Sequence, residues 1–252
     1  MQTIKLTIEY DGTNFSGWQI QAKGERTVQG EIKKALDKVL NEDITLIGAG
    51  RTDSGVHAVG QVAHFKTTSI LTPNKILKAI NGNISDDVVI TKAIKIKHNF
   101  HSQYNAKSKI YQYTILNRAT RSTQIKKFCL YYPRPLDIIS MKKASQKFAG
   151  KKNFKSVVAV DVAKRKSGKT INFVRTIKKI NVQKRNDIIT INVEADGFLY
   201  KMVRNIVGTL IEVGLGKINP NKIPKILKAE NRKLAGPTAP SKGLCLLKVK
   251  YR

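Results

Sequence analysis

Ile4, Leu6, Ile8 and Tyr10 alternate with polar residues before Asp11-Gly12 turns the chain, and this period of two predicts a half-buried strand over residues 3–10. Val28, Ile32, Leu36, Val39 and Leu40 then recur at helical spacing, with Thr27 placed to cap the first turn, which predicts a helix over 28–40. Strands over 44–49 and 60–66, a short helix from Pro73 to Ile80 and a strand from Val88 to Ile96 complete a β-α-β-β-α-β order. The second half repeats the rhythm. It has a strand from Ile110 to Leu116, a helix from Ile138 to Phe148, strands at Val174 to Val182 and Ile188 to Val193, and a helix from Leu199 to Val213. A further helix, Ile223 to Lys228, begins after Asn219-Pro220, and a closing strand runs from Leu244 to Tyr251.

This order predicts an α+β fold of two ferredoxin-like, split-βαβ units, residues 1–105 and 106–252. The duplication lies in the order of elements, not in repeated residues. Each unit covers one face of its sheet with two helices. Side by side, the units are expected to form one continuous, mostly antiparallel sheet, with helices on one face and, on the other, an open face that can form a cleft wide enough for a nucleic acid.

Charge sharpens this picture: 47 lysines and arginines against 17 acids give a formal charge of +30. A field of that sign draws in phosphate backbones, so nucleic acid is the expected partner. Coding bias toward lysine would enrich glutamate as well, and acidic residues are scarce. Cys129 and Cys245 lack metal-ligand spacing and read as small buried hydrophobes in a reducing cytoplasm. No run is apolar and long enough to span a bilayer, and the amino terminus has no secretory pattern, so a cytoplasmic protein is expected.

The chemistry-bearing stretch is Gly48-Ala-Gly-Arg51-Thr52-Asp53-Ser54-Gly55-Val56-His57-Ala58. It sets one carboxylate among glycine-rich turns, and local chemistry leaves a catalytic acid and an ordinary surface turn equally open. An arginine two residues away in extended chain lies on the same side, where it would keep the carboxylate ionised. Ser167-Gly168-Lys169-Thr170 imitates the end of a phosphate-binding loop, but Ala163 stands where its first glycine belongs. The basic run Lys164 to Lys169 reads instead as a phosphate-touching loop or a solvated turn. Gly48-Ala49-Gly50 lacks the third glycine of a dinucleotide loop. His98 and His101 have no second pair of ligands, and His57 and His64 read as hydrogen-bonding residues, so no metal is expected.

Tyr10-Asp11-Gly12-Thr13-Asn14-Phe15-Ser16-Gly17-Trp18-Gln19, the 50–58 loop with Gly60-Gln61-Val62, the Phe198 to Gly208 stretch, and the ending Ala239 to Leu244 with Val249 to Tyr251 together resemble the bacterial tRNA pseudouridine synthase A family. The resemblance runs from residue 4 to 251. It implies conversion of uridine to pseudouridine at positions 38 to 40 of the tRNA anticodon arm, without a cofactor, by a homodimer. It further implies that Asp53 is the catalytic aspartate, that Arg51 helps extrude the nucleotide, that Tyr111 packs on the uracil and that Arg204 lies near the catalytic carboxylate. On residues alone, Tyr111 reads first as a core tyrosine beside Tyr113, since aromatic strand residues are usually structural, and Arg204 as a solvated charge. Ser102-Gln103 replaces the usual Ala-Arg, which removes one positive charge that contacts tRNA, and Asn83-Ile84-Ser85 replaces a commoner Leu-Pro turn. Two alternatives share the same composition: an RNA-binding protein without catalysis, which predicts stacking aromatics on an exposed sheet face, and a synthase with another RNA target.

Overall fold

The computed structural model describes residues 1–22, 24–159 and 171–251. The phosphate-loop imitation and the adjoining basic run lie outside them. Two compact units divide the chain, one of Met1–Lys107 with Cys245–Arg252 and one of Ser108–Leu244. The expected boundary thus falls two residues before the observed one, and the closing strand is grouped with the first unit.

The first unit runs β1 (Gln2–Tyr10), α1 (Val28–Leu40), β2 (Ile47–Gly48), β3 (His57–Thr67), α2 (Pro73–Asn81) and β4 (Val88–Ile96), joined by the last strand of the chain, β10 (Leu244–Lys250). Strand order is β4-β1-β3-β10, with β2 also on β3. β1 is antiparallel to β3 and β4, whereas β10 runs parallel to β3, Cys245 facing His57. The β4-β1-β3-β2 pairing is the split-βαβ pattern.

The predicted period of two in β1 puts Ile4, Leu6 and Ile8 wholly inside. α1 buries Val28, Ile32, Ala35, Leu36 and Leu40, and α2 buries Ile76 and Ile80. Each such aliphatic side chain contributes about 1.5–3 kcal/mol of burial. Thr27 accepts the Gly30 N–H at 3.2 Å to start α1, and Asn41 in left-handed backbone (φ 52°) ends it. Pro73, preset for a first helical turn, starts α2 behind the Thr72 cap.

The second unit runs β5 (Ser108–Leu116), β6 (Leu130–Tyr131), α3 (Ile138–Gln146), β7 (Gly150–Asn153), β8 (Val174–Arg185), β9 (Ile188–Ala195), α4 (Met202–Gly214) and α5 (Ile223–Lys228). β5, β9, β8 and β7 pair antiparallel in that order, and the short β6 lies parallel to β5. Tyr113, Ile115, Ile189, Ile191, Val193 and Val182 make the buried face of this sheet. Both units are therefore α+β and mostly antiparallel.

Candidate active site

The Asp53 loop joins β2 to β3, and its backbone is tied down at nearly every residue. Ala49 N–H donates to Val62 O at 2.7 Å, and the Gln61 side-chain amide donates to Gly50 O at 3.0 Å. Trp18 N–H reaches Thr52 O at 3.1 Å, and the Tyr10 and Thr52 hydroxyls meet at 2.9 Å in the interior. Val56 N–H closes a turn onto Asp53 O at 3.2 Å, while Gly55 N–H and the Ser54 hydroxyl both donate to Phe15 O. Thr52 thus points inward and is buried, while Arg51 is exposed and the Asp53 side chain half-buried. These bonds fix the backbone that carries the carboxylate. Among the described residues Arg51 makes no ion pair with Asp53 within 4 Å; its guanidinium stands in solvent.

The bracing comes from the Tyr10 to Trp18 segment. Gly17 has φ +96°, and a Cβ there would lie 2.5 Å from Thr52 O, so only glycine lets the two segments touch. At Gly12 a Cβ would meet Val56 O at 2.0 Å. Gly12 N–H donates to His57 Nδ1 at 3.1 Å, and Asp11 Oδ1 faces the same nitrogen at 3.2 Å. Phe15 is clamped from outside by Arg26, whose guanidinium lies 4.2 Å from the ring centroid and bonds Asp87 and Ser85 at 2.8 Å each.

On the second unit, Tyr111 and Tyr113 of β5 point to the same face, as alternation requires. Tyr111 is 7% exposed and meets Phe198 edge-on at 5.1 Å. Tyr113 is fully enclosed and donates its hydroxyl to Pro240 O at 2.8 Å; burial raises its pKa, against the opposing pull of the Arg204 charge. Arg204 sits in the first turn of α4, half-buried, with Nε donating to Ala239 O at 2.7 Å while its own carbonyl accepts Ala239 N–H at 3.1 Å. Tyr113 and Arg204 therefore both bond the 239–240 segment, which fixes Arg204, while Tyr111 packs on Phe198. A cavity of about 270 Å³ elsewhere on the unit, among Gln112, Gln183, Arg185, Thr190 and Asn192, has no carboxylate in its wall and includes none of the expected site residues.

A family model described as tRNA pseudouridine synthase matches residues 6–105 and 144–252, most of the chain. The chain belongs to the tRNA pseudouridine synthase family. It is 43% identical over 251 residues to a protein named tRNA pseudouridine synthase A from Thermoanaerobacter sp. (strain X514), covering all of both chains. Identity is 42% to proteins of Acetivibrio thermocellus, named tRNA pseudouridine synthase A, and Clostridium perfringens, named tRNA pseudouridine synthase A 2, again over the full length of each.

Within this pseudouridine synthase, the departure at Ser102-Gln103 has a structural side. The Ser102 hydroxyl is buried and donates to Ile47 O at 2.7 Å, a link from the 97–106 segment to β2 that alanine cannot make, while Gln103 is exposed. His57 and His64 are hydrogen-bonding residues, as expected. Cys129 is buried and Cys245 half-buried, both free, with the Cys245 thiol pushed up to about 11 by burial. Among the described residues no three His, Cys, Asp or Glu side chains are grouped to hold a metal, and no helix is long and apolar enough to cross a membrane.

Sequence reasoning singled out Asp53 but not its supports. Tyr10, Gly17, Trp18 and His57 all lie in the motifs that carried the resemblance. Their contacts with the loop link residues about forty apart in sequence, which no local pattern encodes.

Proposed function

We propose that this chain converts uridine to pseudouridine at positions 38 to 40 of the tRNA anticodon arm, with Asp53 as the catalytic residue. The observation that carries the reading is a half-buried carboxylate on a rigidly braced loop in a chain of charge +30. The reaction breaks the C1′–N1 bond, turns the uracil while it stays bound and joins C1′ to C5. C5 loses a proton and N1 gains one, so no electrons are exchanged and no energy source is needed.

A carboxylate oxygen serves this chemistry as nucleophile or base, and its value depends on being held in place before the substrate arrives. The hydrogen bonds to Thr52 O, Gly50 O and Asp53 O supply that fixity. The target base must first leave its stack, at a cost of a few kcal/mol. Arg51, exposed beside the carboxylate, is assigned to the extruded nucleotide's phosphate. Tyr111 is assigned to the uracil face, and Arg204, whose planar fork suits carboxylate or phosphate, to orienting charge at the reacting uridine. The working form is a homodimer in the cytoplasm, a reading supported by the family resemblance.

The test is incubation with unmodified tRNA followed by carbodiimide mapping. Pseudouridine should appear at 38 to 40. Asp53→Asn should abolish turnover and leave tRNA affinity within a few-fold. Product elsewhere would reassign the target, and turnover by the variant would remove Asp53 from its role.

A further inference from the structure

The face of the first unit's sheet turned away from Ile4, Leu6 and Ile8 carries a row of five rings. Register places Lys5 opposite His64 on this face. The segment after β4, residues 97–106, folds back over it: Ser102 N–H donates to His64 Nδ1 at 3.2 Å, and the Tyr251 hydroxyl donates to Ser102 O at 2.7 Å. Ring centroids step from Tyr251 to Phe100 at 5.2 Å, to His64 at 5.7 Å, to His101 at 5.0 Å and to Tyr104 at 4.1 Å. Lys5 Nζ lies over the first two rings, 4.9 and 5.6 Å from their centroids.

Tyr104 ends the row in solvent. It is 79% exposed, yet its turn is well ordered: Gln103 and Tyr104 N–H both donate to His101 Nδ1, Asn105 N–H donates to His101 O, and His101 N–H donates to Asn105 Oδ1. The ring lies against His101 at an interplanar angle of 23°, so one aromatic face is backed and the other is open. Nothing in folding rewards holding a tyrosine ring out in water in this way. The surroundings name the occupant by charge, because no aspartate or glutamate occurs between Asp87 and Asp137, whereas Lys97 and Lys107 bracket the turn in sequence and are exposed.

We propose that Tyr104, backed by His101, is a stacking platform for an unpaired nucleobase of the tRNA. This rests on the reading of the chain as a tRNA-modifying enzyme and adds a base contact that neither Asp53 nor Tyr111 supplies. A flat ring with one free face suits any base, and adjacent cations suit the phosphate that accompanies it. Tyr104 is a binding residue, outside the reacting atoms.

The experiment compares Tyr104→Ala, Tyr104→Leu and Tyr104→Phe with the wild type on unmodified tRNA, by filter binding at several salt concentrations and by pseudouridine formation, read as release of the C5 proton from tRNA tritiated at that position. Loss of one stacked base weakens binding about 5- to 20-fold at an exposed site. That loss should appear in KM and Kd for the alanine and leucine variants, with kcat held within two-fold and the phenylalanine variant close to wild type. The slope of affinity against salt should stay unchanged, because no phosphate contact is removed. Wild-type affinity in Tyr104→Ala would overturn the platform while leaving the enzyme reading intact. Absence of pseudouridine from the wild type would instead overturn the enzyme reading, and the binding series would still report on the platform. A smaller sedimenting mass for Tyr104→Ala would make the ring a contact between two copies of the chain and also overturn the proposal.

Discussion

The Asp53 loop owes its position to contacts from a distant segment of the chain, and the buried Tyr10–Thr52 hydroxyl pair is the most direct of them. Thr52 is the residue between Arg51 and Asp53, and its inward anchorage is what turns those two side chains outward. Burial raises the pKa of the Tyr10 hydroxyl, so it stays protonated and available as a donor. Tyr10→Phe removes one hydroxyl and leaves the Thr52 hydroxyl enclosed without that partner, a loss of about 1–3 kcal/mol. The expected outcome is a folded protein with lowered melting temperature, a reduced kcat and a KM changed by less than two-fold, read from thermal melts and steady-state kinetics. An equal fall in activity and in folded fraction, with kcat per folded molecule unchanged, would show that the pair only stabilises the fold.

At the scale of elements, the 97–106 segment is latched across β1 and β3 through His64, and this makes the latch sensitive to acid. Burial, with the nearby His101 charge adding to it, pushes the His64 pKa down to about 4. The unfolded chain takes up that proton near pH 6.5. Between about pH 6.5 and 4 the unfolded state therefore binds the extra proton, and stability falls as pH falls through that window. Thermal melts across it should show a steeper decline for wild type than for His64→Gln; parallel curves would mean that His64 titrates alike in both states. Elements of this kind also show what was legible beforehand. α1 and α2 could be read to within a residue because Thr27, Thr72 and Pro73 mark their starts by local chemistry. The strand expected over 44–49 shrinks to Ile47–Gly48, because Ile44 N–H is taken by the Asp37 carboxylate at 2.9 Å, a partner seven residues back on α1. α4 starts at Met202 instead of Leu199, since Lys201 adopts left-handed backbone at φ 56°, a conformation no lysine advertises. The Asp53 loop was visible as a motif, but the ring row ending at Tyr104 was not. His64, Phe100, His101 and Tyr251 meet only after β1 and β3 have paired.

Across the whole molecule, the excess of positive charge has to do physical work in binding or be incidental, and salt distinguishes the two. Internal ion pairs cannot neutralise it, since the acids are already counted in the net charge; those among the described residues are mostly at the surface, as in Lys33–Asp37 at 2.6 Å and Lys155–Glu230 at 3.1 Å, where each contributes about 0–1 kcal/mol. Most lysines are thus left for an external anion or for solvent. If they meet phosphates, each neutralised phosphate releases a condensed counterion, and the logarithm of affinity falls linearly with the logarithm of salt concentration. For about six or more such contacts, tRNA affinity should drop about 10³-fold or more between 50 and 200 mM salt. Asp53→Asn should follow the same slope as wild type, because a carboxylate neutralises no phosphate and so releases no counterion. Tyr104→Ala should run parallel and weaker. A flat response in the wild type would mean that affinity comes from neutral contacts alone, and the charge of +30 would then have no part in holding the RNA.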